Sequence, residues 1–201
     1  TILWLTGFVN EKGNDTSEQK SETFDEVARN NYGAYDSRSI GWWKGQGIHI
    51  DFTNDAAVKW WYSQLDKVFT EGVYGWKVDQ GEVHLPGQFN TSKGMMTNEA
   101  FRYYYYDAMY DYAVDRKPDG ITIARPYSWQ EGLTSSIEKN NMAWCGDFKG
   151  DWEGMRSQIN DIYRSARYGY GAIACEVGGF HRVKSTSLQF LRYAQFGCMT
   201  A

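Results

Sequence analysis

The sequence predicts an α/β fold, a (β/α)8 TIM barrel of which about five of the eight strand–helix units are present. Three observations carry this. Short apolar runs alternate with segments of helical periodicity, the order that builds a parallel sheet covered by helices. Polar clusters close four of those runs: Trp76-Lys77-Val78-Asp79-Gln80-Gly81-Glu82, Ile123-Ala124-Arg125, Trp144-Cys145-Gly146-Asp147 and Cys175-Glu176-Val177-Gly178-Gly179-Phe180. In a barrel all four project from the C-terminal rim, where such folds keep their chemistry. Finally, a complete barrel takes about 250 residues and this chain has 201, so its first and last units are expected to be absent. Strands cut at both ends leave open edges, which argues against a stable domain on its own.

Residues 2–9 read as one buried strand. Residues 10–47 are polar, contain Gly33, Gly41, Gly45 and Gly47, and are expected to form a long loop or insertion with at most a short helix near residues 22–30. A loop of that length in a compact domain is usually functional or inserted. A short extended piece at 48–52 precedes a clear helix. Thr53 or Asn54 can cap it, Val58, Trp61, Leu65 and Val68 recur at helical spacing, and Gly72 ends it.

A strand at 74–79 follows, then a Gly-, Pro- and Asn-rich loop over 83–96. Asn98 opens the next helix, with Phe101, Tyr105, Ala108, Met109 and Tyr112 on its apolar face and Pro118 and Gly120 at its end. The tyrosine run at 103–106 reads mostly as packing and rim. Strands are expected at 121–124 and 142–145. Trp152, Met155, Ile159, Ile162 and Ala166 mark a further helix with Gly169 past its end. A strand at 171–175 and a helix over 187–196 follow.

The length suffices for one domain with a sizeable core. Lys and Arg are scattered over a chain of net charge −4, without the basic stripe of a nucleic-acid binder, and no apolar run is long enough to span a membrane. Nine Trp, 15 Tyr and 10 Phe read in large part as core packing and a helix face, and they also suit a cleft whose rings stack on sugar faces. Cys145, Cys175 and Cys198 are odd in number, lack metal-ligand spacing and read as free thiols. His49, His84 and His181 are too dispersed for a metal site. Asn14-Asp15-Thr16 and Asn90-Thr91-Ser92 match glycan acceptors, a triplet common by chance. The chain starts inside an apolar run and stops just after another, so it is expected to be an excerpt of a longer protein, and its start carries no reading of compartment. Oligomeric state is not legible either.

The two carboxylates at strand ends, Asp79 and Asp147, suggest the acid/base or nucleophile/acid pair of sugar cleavage. Period-two alternation puts Lys77 and Asp79 on the same side of their strand, so Lys77 faces inward just beneath Asp79. An ammonium there favours the ionised carboxylate that a nucleophile requires; the same pair equally reads as a structural ion pair. Asp147 sits in a Gly-containing loop beside Trp144, and partial burial there favours the protonated form a general acid needs. Its competing role is an N-cap for the helix near Asp151, which Asp151 itself can fill. Arg125 can hold a substrate hydroxyl or orient Asp147, and Glu176 can bind sugar or brace the rim.

These motifs resemble the retaining α-glycosidases of glycoside hydrolase family 31, which includes α-glucosidases and α-xylosidases. Asp51-Phe52-Thr53-Asn54 before a Trp-rich helix resembles the family's Asp-Phe-Thr-Asn-Pro segment. Gly75 to Glu82 resembles its nucleophile motif, in which an Asp is followed three residues later by Glu. Ala124-Arg125, Trp144-Cys145-Gly146-Asp147 and Glu176-Val177-Gly178-Gly179-Phe180 resemble its Ala/Ser-Arg-Ser, Trp-x-Gly-Asp and Asp-Ile/Val-x-Gly-Phe motifs. The resemblance implies that residues 1–201 are part of one catalytic barrel domain, with Asp79 as nucleophile and Asp147 as acid/base. It implies a sugar subsite drawn from Trp4, Asp51, Lys77, Arg125, Trp144, Glu176 and Phe180, and no metal or organic cofactor. Four positions depart from the family pattern: Gln80, Pro126 for a Ser, Met142 where a His is common, and Glu176 for an Asp. All border the sugar subsite. Lys77 occurs in the α-xylosidase-like branch, among others.

The leading expectation is an exo-acting retaining α-glycosidase working by double displacement on an α-linked sugar. Transglycosylation or elimination at the same site are close alternatives. A non-catalytic carbohydrate-binding relative is the alternative of a different class, and it has no need of paired carboxylates. An unrelated metal-using barrel lacks clustered ligands.

Overall fold

The computed structural model describes residues 1–15, 19–69, 72–125, 127–128, 132–133, 135–180 and 183–200, with backbone alone at 127–128 and 132–133. Thr16, Pro126 and His181 lie outside the described residues. Strand β1 (Ile2–Leu5) is followed by β2 (Phe8–Gly13), helix α1 (Phe24–Arg29), β3 (Ile40–Trp42) and β4 (Gly45–His49). Then come α2 (Asp55–Phe69), β5 (Gly75–Val78), the hairpin β6 (Gln88–Thr91) and β7 (Gly94–Thr97), α3 (Asn98–Arg116) and β8 (Ile121–Ala124). The remaining elements are β9 (Tyr127–Ser128), β10 (Gly132–Leu133), β11 (Met142–Trp144), α4 (Trp152–Arg167), β12 (Ile173–Ala174) and α5 (Ser187–Gly197).

Five strands form one sheet in the order β1-β5-β8-β11-β12, and every neighbouring pair is parallel. With α2, α3 and α4 in three of the four connections between neighbouring strands, this is the expected partial (β/α) barrel. Register places Trp4 beside Lys77, Lys77 beside Ile123, and Ile123 beside Met142. In-register partners in a parallel sheet point the same way, so these four form one inward layer, as barrel interiors are built. The alternate residues Trp76, Val78, Ala124 and Ala143 turn toward the helices and are buried. There Trp76, Val78 and Ala124 join the main core with Leu65 and Phe69 of α2 and Phe101, Tyr105, Met109 and Tyr112 of α3. A second, smaller core of Ala143, Cys145, Phe148, Tyr170 and Ile173 receives Ile162 of α4.

Residues 2–9 are two strands rather than one. The break falls at Thr6-Gly7, where a Cβ on Gly7 would lie 2.6 Å from the His49 ring, and β2 leaves for a separate antiparallel sheet of order β2-β4-β3. Alternation alone does not reveal a change of sheet. The segment 10–47 thus holds a helix and most of a sheet. Two of its glycines, which read as loop, are strand positions of close backbone approach: a Cβ on Gly45 or Gly47 would collide with the carbonyls of Lys12 or Val9.

Helix caps decide which polar residues remain for other work. Asn54 caps α2, its Oδ1 accepting from the N–H of Ala56 (3.0 Å) and Ala57 (3.3 Å). Thr97, rather than Asn98, caps α3 through the Ala100 N–H (3.2 Å), while Asn98 donates to the carbonyls of Glu82 (2.6 Å) and Leu85 (3.2 Å). Asp151 caps α4 through the Gly154 N–H (2.8 Å), so Asp147 has no capping duty. The expected apolar stripe of α4 is not its most buried face. Gly154, Gln158, Asp161 and Ser165 are buried, whereas Trp152 is 46% exposed and Ala166 is exposed.

Candidate active site

Asp79 lies one residue beyond β5, and its backbone remains tied to the sheet. Its N–H donates to the Leu5 carbonyl (2.9 Å), and the Arg125 N–H donates to the Val78 carbonyl (3.1 Å). Successive tyrosines of α3 fasten both strand ends from outside: the Tyr105 hydroxyl donates to the Asp79 carbonyl (2.9 Å) and the Tyr106 hydroxyl to the Arg125 carbonyl (2.7 Å). Sequence reading took these tyrosines as packing. Only their positions over adjacent parallel strands reveal the second duty.

The Asp79 carboxylate is held at both oxygens. Oδ2 accepts from Trp4 Nε1 (2.9 Å), and Oδ1 accepts from the Gln80 N–H (2.8 Å) and from Arg125 Nη1 (3.3 Å). The same Nη1 stands 3.2 Å from Asp147 Oδ2. One guanidinium nitrogen between them keeps those two oxygens no more than about 6.5 Å apart, a limit compatible with the 5–5.5 Å of a retaining carboxyl pair. Gly146 makes this possible. Its φ of +117° is open to glycine, and a Cβ there would sit 2.7 Å from Arg125 Nη2.

The expected Lys77–Asp79 pair is not formed. Lys77 instead sends its Nζ over the Trp144 ring, 4.4 Å from the centroid, and the cation that reaches Asp79 is Arg125. Trp144 is buried and carries the Arg125 guanidinium on its ring at 5.8 Å. Glu176 completes the cluster, with Oε2 buried and making no hydrogen bond among the described residues. Burial, then the Asp147 carboxylate, pushes the Glu176 carboxyl up to about 7, against the pull of Lys77 and Arg125. The kcat/KM profile of the full-length protein is therefore expected to show an ionisation near pH 7 that disappears in Glu176→Gln, a change read directly from pH–rate curves.

Two of the expected subsite residues stand apart. Asp51 is 3% exposed and both its oxygens are taken: Oδ1 by the Thr53 N–H (2.9 Å) and hydroxyl (2.6 Å), Oδ2 by the Ser92 N–H (2.7 Å). It braces the loop before α2. Phe180 is 67% exposed on the loop after β12, its N–H donating to the Phe148 carbonyl (2.7 Å). Trp4, Lys77, Asp79, Arg125, Trp144, Asp147 and Glu176 come together. Among the described residues no group of three or more His, Cys, Asp or Glu side chains is placed to hold a metal ion. No helix among them is long and apolar enough to cross a membrane.

A parallel barrel sheet whose C-terminal rim gathers paired carboxylates, two cations and exposed tryptophan defines a glycoside-hydrolase type of domain. The chain belongs to family 31 of the glycosyl hydrolases, the model of that family's TIM-barrel domain matching residues 1–201. It is 28% identical over 182 residues to an isomaltosyltransferase of Sporosarcina globispora, covering 88% of this chain and 16% of that protein. It is 25% identical over 162 residues to an α-xylosidase of Emericella nidulans, covering 80% of this chain and 20% of that protein. Its fold matches the cycloalternan-forming enzyme of Listeria monocytogenes with a TM-score of 0.81 at 22% identity, over 99% of this chain and 19% of the other. The chain thus spans a fifth or less of each of these relatives.

Proposed function

We propose that this chain is the catalytic core of an exo-acting retaining α-glycosidase, with Asp79 as nucleophile and Asp147 as acid/base. The observation that supports this is the Arg125 Nη1 shared between the two carboxylates, which keeps them close enough to act on one glycosidic bond. In the first displacement Asp147 gives its proton to the glycosidic oxygen while an Asp79 oxygen attacks the anomeric carbon. The C–O bond to the leaving sugar breaks with its electron pair on that oxygen. In the second, Asp147 takes a proton from water, whose oxygen displaces Asp79, and the sugar leaves with its α configuration.

The protein groups have matching duties. Trp4, the Gln80 N–H and Arg125 aim the Asp79 carboxylate. Lys77, Trp144 and Glu176 line the space beside it for the hydroxyls of the bound sugar. Asp51 braces the wall in this reading and does not touch sugar.

A second outcome, transfer to a sugar hydroxyl in place of water, is favoured by the 28% identity to an isomaltosyltransferase. One experiment tests both: the full-length protein is offered aryl α-glucoside, xyloside, galactoside, N-acetylgalactosaminide and sulfoquinovoside, with the first-formed product followed by proton NMR. Release of one sugar as its α anomer is expected. A first-formed β anomer would overturn the mechanism, and a disaccharide product would mark transfer.

A further inference from the structure

His49 ends β4, and no step of the reaction uses it. It pairs with Phe8 across the β2–β4 ladder and is buried. Four rings enclose it edge-on: Phe8 at 5.1 Å, Tyr105 at 5.3 Å, Phe101 at 5.5 Å and Phe52 at 5.9 Å between centroids. Its Nδ1 lies 2.9 Å from the Ile50 carbonyl, which can only accept, so the proton is on Nδ1 and that bond fixes the ring plane. Burial pushes the imidazole down to about 4, so the ring is neutral. Nε2 is buried and makes no hydrogen bond among the described residues. A leucine or phenylalanine would fill an aromatic box without leaving an acceptor unpaired, so packing alone does not account for a histidine here.

The Nε2 edge of the ring is turned on two glycines. A Cβ on Gly7 would lie 2.7 Å from Nε2, and one on Gly81 would lie 3.2 Å from it. Gly7 stands two residues past Leu5, whose carbonyl accepts from the Asp79 N–H (2.9 Å). Gly81 stands two residues past Asp79 itself. The third neighbour, Tyr105, donates its hydroxyl to the Asp79 carbonyl (2.9 Å), and that hydroxyl is in turn supported by the Gly7 N–H. Three segments that hold the Asp79 backbone thus close on one imidazole.

We infer that His49 is a positioning residue for the nucleophile, a spacer that sets the height of the Asp79 loop above Gly7 and Tyr105. The ring touches no sugar and carries no proton to one. It acts through contact: its plane is pinned by the Ile50 carbonyl, and its far edge stops the loop at Gly81. A small displacement of an attacking oxygen is felt in the chemical step far more than in binding. Loss of the spacer therefore falls on kcat and spares KM. The assignment rests on the glycosidase reading and deepens it.

The test uses the full-length protein and two readouts: turnover of an aryl α-glycoside, and amide hydrogen exchange over residues 78–84, which needs no turnover. His49→Ala is expected to lower kcat about 10–100-fold with KM within about threefold, and to speed exchange over 78–84 while β8 and β11 keep theirs. Should His49→Ala not fold, His49→Asn keeps the donor to the Ile50 carbonyl, removes the far edge and carries the same expectation. Gly81→Ala probes the contact from the other side. Its backbone (φ −106°, ψ −36°) is right-handed and open to any residue, so the methyl is opposed by the His49 and Phe8 rings, each 3.1 Å away. Alone it is expected to lower kcat about fivefold. In the His49 variant the vacated space accepts the methyl, so the double variant is expected to lose less than the product of the two single losses. Losses that multiply overturn the inference, and so does unchanged kcat or exchange that rises evenly over the whole sheet. If the native protein turns over no glycoside while exchange over 78–84 responds to His49 and recovers in the double variant, the glycosidase reading fails and the spacer stands.

Discussion

Asp79→Asn is expected to lower kcat of the full-length protein by on the order of 10⁴-fold, the scale at which loss of a catalytic group acts. The amide keeps the shape of the carboxylate and can still accept from Trp4, so folding and sugar binding are expected to persist. The stronger test is stereochemical. Asp79→Gly opens the face the nucleophile occupied, and azide entering there is expected to give a β-glycosyl azide in a single displacement. Asp147→Ala leaves the nucleophile in place. It is expected to lower kcat by about 10²–10⁴-fold on unactivated substrates, and its rescue by azide gives the α-glycosyl azide. Opposite product configurations from two carboxylates bridged by one guanidinium would establish their separate roles. The same configuration from both would overturn the assignment.

Those two residues were legible because both sit at strand ends, and a strand end in an α/β chain is marked locally by apolar alternation running into a polar cluster. What joins them was not. Lys77 shares a strand with Asp79, so alternation made it the obvious partner, yet its long side chain crosses the sheet to Trp144. Arg125 comes from the neighbouring strand. Its approach to Asp79 depends on the β5–β8 register, in which Lys77 stands beside Ile123, a relation no local pattern encodes. The same limit hid Tyr105 and Tyr106, whose hydroxyls act on carbonyls of two different strands. Strands β3 and β4 were hidden for another reason. They lie in a glycine-rich polar stretch in which Gly45 and Gly47 allow strands to meet, and such glycines look like loop until the partner strand is seen.

Glu82 was quoted only as the last residue of a motif, and its environment supports the second large prediction. It is fully buried beneath the nucleophile loop, and burial, the largest cause, raises its carboxyl to about 7; Arg102 pulls it down and Asp79 pushes it up. Arg102 Nε stands 3.2 Å from Oε1, and the Tyr106 hydroxyl is 3.4 Å from Oε2. The ion-pair distance alone suggests a carboxylate, but taking the charge out of water costs more than Arg102 and the backbone N–H groups of Gly81 and Glu82 return, so desolvation prevails. Between about pH 4.5 and pH 7 the folded protein therefore holds a proton that the unfolded chain has released, and stability falls as pH rises through that window. Above it the loss is complete, at most about 3 kcal/mol for this group.

Glu82→Gln removes the titration and keeps the volume. Its stability relative to the native protein is expected to rise by up to about 3 kcal/mol between pH 4.5 and pH 8, read from the difference in thermal midpoints of the barrel transition in the full-length protein. Groups common to both proteins cancel in that difference. A flat difference would mean that Arg102 holds Glu82 ionised throughout. The same substitution has a catalytic reading. A protonated Glu82 keeps a second negative charge away from the underside of Asp79, so the uncharged glutamine should retain kcat near neutral pH. A buried acid next to a nucleophile would then act by being neutral, leaving the negative charge of the loop on the carboxylate that faces the sugar.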